Sequence, residues 1–74
     1  MITPAVGLGP ARGVGAVQLT QAEREVLGYV LLGLANKEIA SALNKAEPTV
    51  KHQVSSILLK HRVPSRARLI AQFR

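Results

Sequence analysis

Apolar residues recur at helical spacing in the first half of the chain, after an irregular start. Six of them stand three or four positions apart: Ala22, Val26, Leu27, Val30, Leu31 and Leu34. Since an α-helix turns by about 100° per residue, this spacing puts all six on one face. Thr20 and Glu23 have the spacing of a capping box. The pattern therefore predicts a first helix that begins after Thr20 and ends within a residue or two of Gly33, where glycine favours a left-handed cap.

The next two stretches predict a pair of helices joined by a short turn. Asn36 is expected to cap the second helix, which runs from Lys37 to about Asn44 with three apolar side chains inward: Ile39, Ala40 and Leu43. The third helix begins around Glu47 or Pro48, because proline is tolerated in a first turn. One sector of it faces the core: Val50, Val54, Ile57, Leu58 and His61. The opposite sector is mostly polar and faces outward: Lys51, His52, Ser55, Ser56, Leu59 and Arg62.

The two ends of the chain differ in composition. Pro64 stops the third helix, and Ser65 can cap a fourth that runs from Arg66 to Phe73. Residues 1–18 contain four of the six glycines and two prolines, which disfavour a helix there. We therefore predict an all-α fold, with a flexible arm over residues 1–18 and a four-helix domain over residues 19–74.

Positive charge is concentrated in the C-terminal part. Residues 45–74 hold seven lysines and arginines and one glutamate, so the entire formal net charge of +6 lies there. Such a surface suits a polyanion, because each neutralised phosphate releases counterions. A solvated basic face that keeps the protein soluble is the alternative. The two aromatic residues, Tyr29 and Phe73, make a poor platform for stacking unpaired bases, which disfavours single-strand binding.

A helix pair whose second member is polar and basic outside can place that helix in the DNA major groove. Helical hairpins also occur in proteins that never touch nucleic acid, so spacing alone is a moderate signal. The residues are more specific: Leu19-Thr20, Glu23-Arg24-Glu25-Val26-Leu27, Gly33-Leu34, Asn36-Lys37-Glu38-Ile39-Ala40, Leu43, Thr49-Val50-Lys51, Ile57-Leu58, Lys60, Val63, Ser65-Arg66 and Leu69. This ordered set resembles the LuxR/NarL/GerE family of bacterial regulators, which implies a four-helix LuxR-type helix-turn-helix domain.

The resemblance implies a DNA-binding role for six residues: Lys51, His52 and Ser55 at base edges, and Asn36, Lys37 and Thr49 at phosphates. A lysine can donate to guanine O6 or N7, whereas histidine and serine donate or accept and so discriminate loosely. Asn36 and Lys37 stand at a helix N-terminus, where the positive end of the dipole favours a phosphate. A simple helix cap at Asn36 and a solvated side chain at Lys37 are the alternatives.

Four positions depart from the family pattern. Ala46 stands where a serine usually caps the third helix, a change that costs about 1 kcal/mol. Lys45 replaces a buried branched residue, and Gln53 replaces a frequent histidine. His61 takes the place of a leucine and is expected to be a partly buried, hydrogen-bonded structural residue, with a pH switch as the alternative. His52 and His61 project from opposite sides of one helix, so no metal site is expected.

The fourth helix raises the question of dimerisation. In the family it mediates dimer contacts, and Leu69, Ile70 and Phe73 exceed what so small a core needs, so these three residues are expected to form a dimer interface. A symmetric dimer would read two half-sites spaced about one turn of DNA apart. The alternative is that these three residues close the core of a single chain.

The sequence thus favours a transcription regulator that binds double-stranded DNA through the helix spanning about 49–62. The alternative is a helix-turn-helix module repurposed to contact another regulator or RNA polymerase. Four glutamates without any aspartate or cysteine offer no catalytic constellation, so neither an enzyme nor a cofactor is expected. No stretch reaches the ~18 apolar residues of a membrane span, and no signal peptide is recognisable, so a cytoplasmic protein without a membrane partner is expected.

Overall fold

The structure, a computed structural model, describes residues 17–74, which form four α-helices. They are α1 (Gln21–Leu31), α2 (Asn36–Leu43), α3 (Glu47–His61) and α4 (Arg66–Gln72). No strand occurs within residues 17–74. The all-α prediction is therefore confirmed. The flexible arm predicted for residues 1–18 lies almost entirely outside the described residues.

Two of the helices begin on a hydroxyl cap, as their sequences predict. Thr20 Oγ1 accepts a hydrogen bond from the Glu23 amide at 3.1 Å, and Glu23 Oε1 accepts one from the Thr20 amide at 2.8 Å. This completes the predicted capping box at the start of α1. At the start of α4, Ser65 Oγ accepts a hydrogen bond from the Arg68 amide at 3.2 Å. Both helices thus satisfy part of their N-terminal amides with their own side chains.

The other two helices begin without a side-chain cap. The prediction that Asn36 caps α2 is wrong, because Asn36 is the first residue of the helix and Ala35 occupies the cap position. The Ala35 amide donates to Glu38 Oε1 at 2.7 Å, but the Ala35 methyl group accepts nothing in return. α3 begins after Ala46, which also lacks a side-chain acceptor. The first amides of α2 and α3 therefore have no side-chain partner at the cap.

Residues in the left-handed region of backbone conformation shape the turns. Gly33 has φ +91°, and α1 ends two residues before it, as predicted. Asn44 (φ 54°) ends α2, and the turn from Asn44 to Ala46 leads directly into α3. Arg62 (φ 57°) ends α3. The left-handed backbone conformation costs a residue such as arginine about 1–2 kcal/mol, whereas asparagine and glycine adopt it more easily. These turns fix the angles at which α3 leaves α2 and meets α4.

The core lies where α3 packs against the other helices. Nine apolar residues are buried there: Val26, Leu27, Val30, Ile39, Ala40, Val50, Val54, Ile57 and Leu69. All four helices contribute, and α3 contributes three of these residues. Burying a side chain of this size contributes about 1.5–3 kcal/mol, so the core determines which face of α3 points inward. The opposite face of α3 is left to solvent.

Candidate nucleic-acid interface

The outward face of α3 carries the residues expected to contact DNA. Thr49, Lys51, His52 and Ser55 are all exposed. They share one side of the helix because Val50 and Val54, which alternate with them, are held in the core at 0% and 7% exposure. Leu59 continues the same face and is 79% exposed. The outward face of α3 therefore presents one cation, one imidazole, two hydroxyls and one apolar side chain to solvent.

Ser56 was expected on this outward face, and that expectation is wrong. It is half-buried, and its Oγ donates to Glu23 Oε2 at 2.6 Å. Lys60, one helical turn further on, donates from Nζ to Glu23 Oε1 at 2.7 Å. The capping carboxylate of α1 thus holds the back of α3 through two side chains spaced four residues apart.

Glu23 is the buried charged residue of the described chain, at 6% exposure. The hydrogen bonds from Lys60, Ser56 and the Thr20 backbone lower the pKa of its carboxyl from 4.5 to about 2, although burial acts in the opposite direction. The carboxylate is consequently ionised over the whole physiological range. It fastens the start of α1 to the edge of α3 that carries Ser56 and Lys60.

The predicted phosphate-contact residues of α2 lie at its first turn. Lys37 is exposed, and Asn36 is half-buried. Asn36 Oδ1 accepts a hydrogen bond from the guanidinium of Arg66, at the start of α4. The same guanidinium donates to the backbone oxygen of Leu34. Arg66 therefore ties the first turn of α4 to the loop that leads into α2.

Two of the positions that depart from the family pattern contact each other. Lys45 Nζ donates to Gln53 Oε1 at 3.2 Å, and both side chains are half-buried. Lys45 lies in the turn between α2 and α3, whereas Gln53 lies two turns into α3. A polar pair here links the turn to the body of α3, which starts without a cap at Ala46.

The structure separates the three residues predicted to form a dimer interface. Leu69 is completely buried in the core of the single chain, so the expectation that it faces a second copy is wrong. Ile70 is half-buried and packs against the same core. Phe73 is 48% exposed and lies edge-on to His61, with 5.6 Å between the ring centroids. Ile70 and Phe73 are thus the surface part of the predicted interface.

His61 is held in place between α3 and α4. Its Nδ1 lies 3.2 Å from Gln72 Oε1. Its Nε2 is buried and makes no hydrogen bond with residues 17–74. The expected partly buried, hydrogen-bonded environment is present, and the ring packs against Phe73.

Arg66 and the Glu23–Ser56–Lys60 contact are the features that the sequence patterns missed. Ser56 and Lys60 do have a signal, because they stand four residues apart and so share a face of α3. No local pattern indicates the contacts of Arg66, since its acceptors lie 30 and 32 residues away along the chain. Only the packing of α4 against the loop after α1 brings these groups together.

Two further observations concern the described part of the chain. Residues 17–74 contain no group of three or more histidine, cysteine, aspartate or glutamate side chains that could hold a metal ion. Within the same residues, no helix has the length and apolar character needed to cross a membrane.

Comparison with known proteins assigns the fold to a family. The sequence profile of the bacterial regulatory proteins of the luxR family matches residues 17–73. A transcriptional regulatory protein of Bacillus subtilis, YhcZ, is 49% identical over 49 residues, which is 66% of this chain and 23% of the relative. The nitrate/nitrite response regulator NarP of Escherichia coli is 48% identical over 48 residues, covering 65% of this chain and 22% of NarP.

A third relative is the DNA-binding transcriptional activator DevR/DosR of Mycobacterium tuberculosis, 50% identical over 42 residues, which is 57% of this chain and 19% of the relative. The chain thus spans about a fifth of the length of these three curated relatives. No solved structure matches.

Proposed function

This chain belongs to the luxR family of bacterial regulatory proteins, and we propose that it binds double-stranded DNA sequence-specifically within a bacterial transcription regulator. In this proposal α3 enters the major groove and α2 braces it against the phosphate backbone. The observation that carries the proposal is the outward face of α3. Its polar side chains are exposed while the opposite side of the same helix is locked into the core.

The base contacts are assigned to Lys51, His52 and Ser55. The Lys51 ammonium suits the O6 and N7 acceptors of guanine, and one such contact contributes about 1–3 kcal/mol of discrimination when its geometry is good. His52 and Ser55 each donate or accept, so they tolerate more than one base. Specificity in this proposal therefore rests mainly on Lys51.

The phosphate contacts are assigned to Asn36, Lys37 and Thr49. Asn36 and Lys37 begin α2, and Thr49 lies in the first turn of α3. α2 has no side-chain cap, so the amides of its first turn are available to a phosphate oxygen, which the positive end of the helix dipole also attracts. In the first turn of α3, Pro48 has no amide proton and the Thr49 amide donates to the Ala46 carbonyl at 3.1 Å, so the Thr49 contact is assigned to its hydroxyl. These contacts position the protein on the duplex and carry no base preference.

A fluorescence titration with duplexes selected from a random pool tests the proposal. The logarithm of the affinity should fall linearly with the logarithm of the salt concentration, and unselected competitor DNA should bind more weakly. Lys51→Ala should reduce affinity for the selected duplex about tenfold or more. Arg74→Ala is the matched control, since it removes one exposed positive charge at the far end of the chain.

Two results would contradict the proposal. The first is the absence of any duplex binding at low salt. The second is an equal loss of affinity in the Lys51→Ala and Arg74→Ala proteins, which would reduce the interaction to unspecific charge attraction. A chain that binds no DNA but captures another regulator or RNA polymerase would establish the alternative, a helix-turn-helix module used for protein contact.

We propose that two copies bind a pair of half-sites, in the cytoplasm where the DNA is. The half-exposed Phe73 ring and the neighbouring Ile70 support a contact between copies through α4. Sedimentation of the protein with and without the selected duplex tests this, and the mass of one chain per duplex at saturation would exclude it.

A further inference from the structure

We infer that Arg66 is a positioning residue for DNA binding, because its guanidinium turns the Asn36 side chain so that the amide nitrogen faces out as a donor to a DNA phosphate. This inference rests on the proposed function, since it concerns how one of the phosphate-contact residues is presented. Arg66 itself lies in the first turn of α4, 30 residues from Asn36. It has no direct contact with DNA in this inference.

The chemistry of the two side chains dictates the orientation. A guanidinium carries only donors, so the Asn36 atom that faces it has to be the amide oxygen, Oδ1. The amide nitrogen, Nδ2, then points the other way with two protons to donate. Rotating the amide by half a turn would set N–H against N–H, which Arg66 forbids.

The Asn36 side chain is half-buried, and solvent reaches its amide nitrogen. No acceptor among residues 17–74 takes a hydrogen bond from Nδ2. Among residues 17–74, the fully buried side-chain atom that lacks a hydrogen bond is His61 Nε2. Asn36 Nδ2 is not fully buried in this way. The Lys37 side chain is exposed. The first turn of α2 therefore carries both a donor and a cation.

The geometry requires an arginine at this position. The guanidinium reaches Asn36 Oδ1 with one nitrogen and the Leu34 carbonyl with the other. Because the two nitrogens are fixed in one plane, the second bond fixes the direction of the first. A lysine ammonium is a single point with rotatable donors, so it keeps the charge but cannot impose that direction.

The test combines affinity with a map of the contacted phosphates. Arg66→Lys and Asn36→Ala should each weaken binding of the selected duplex about threefold to tenfold, the effect expected of one lost hydrogen bond. The double variant should lose no more than Asn36→Ala alone, because Arg66 acts through Asn36. Arg68→Lys is the matched control, an exposed arginine on the same helix, and should bind like the unaltered chain.

Ethylation interference separates positioning from general loss of structure. Arg66→Lys and Asn36→Ala should both become insensitive to ethylation at the same single phosphate, while every other phosphate keeps its effect. Loss of the whole pattern in Arg66→Lys, additive effects in the double variant, or an unchanged phosphate map would each overturn the inference. If the unaltered chain binds no duplex, the proposed function fails instead, so the two failures are distinguishable.

Discussion

The two faces of α3 belong to the same 15-residue helix but are treated in opposite ways by the rest of the chain. On the inward face, Val50 and Ile57 are completely buried, and at its edge Ser56 and Lys60 are hydrogen-bonded to a buried carboxylate. On the outward face, polar side chains and Leu59 extend into solvent. The inward face contributes to folding, whereas the outward face stays exposed to solvent.

This difference teaches how a small domain can hold a helix firmly and still leave one side of it exposed. The apolar contacts set how deep α3 lies, while the polar contacts from Glu23 to Ser56 and Lys60 define its rotation, because hydrogen bonds are directional. Substitutions on the inward face should therefore change stability, and those on the outward face should change binding. Two predictions test that division, and a third concerns the start of α3.

The largest effect is expected from a matched pair of truncations two residues apart. Ile57→Ala removes a completely buried side chain and should lower the free energy of unfolding by about 3 kcal/mol, through lost burial and the cavity left behind. Leu59→Ala removes a side chain that is 79% exposed and should change it by less than about 0.5 kcal/mol. Urea denaturation measures both. Similar losses in the two variants would mean that the faces are not divided in this way.

The second prediction concerns acid stability. The pKa of Glu23 is lowered from 4.5 to about 2, so its contribution to folding is fully present above pH 4.5 and is lost as the pH falls towards 2. The contribution should be about 2 kcal/mol, below what the shift alone implies, because the Lys60 side chain is 37% exposed and partly screened. Urea denaturation at a series of pH values measures the loss.

Glu23→Gln identifies the source of that acid sensitivity. The variant should be less stable than the unaltered chain at neutral pH, and the two stabilities should converge as the pH falls below 4.5. Glu25→Gln, which alters an exposed carboxylate on the same helix, is the control and should leave the acid profile of the unaltered chain in place. An acid profile that is the same in Glu23→Gln and in the unaltered chain would show that other groups are responsible.

The smallest effect is expected at the start of α3, which belongs to neither face. Ala46→Ser should raise the free energy of unfolding by up to about 1 kcal/mol, because the new hydroxyl can accept the Thr49 amide, which now donates only to the Ala46 carbonyl at 3.1 Å. Ser65→Ala should lower it by a similar amount, since it removes the existing cap of α4. Thermal or urea unfolding measures the two shifts. No gain from Ala46→Ser would mean that the first turn of α3 is already satisfied.

Local patterns predicted the helices well because their causes are local. The capping box of Thr20 and Glu23 and the glycine turn at Gly33 act over a few residues, and the structure reproduces both. The cap of α2 was misplaced by one residue. Asn36 has the right chemistry for a cap, but its oxygen is taken by Arg66 from a distant helix. A contact of that kind leaves no trace in a local pattern.

The sequence alone determined four amphipathic helices, the order in which they follow and the placement of all the net charge in the C-terminal part of the chain. Periodicity and caps operate within a few turns, so they can be recognised along the chain. Tertiary structure decided which side chains remain accessible: it engaged Ser56 with Glu23, buried Leu69 and left Lys51 exposed. Hydrogen bonding and burial depend on neighbours that only folding brings within reach.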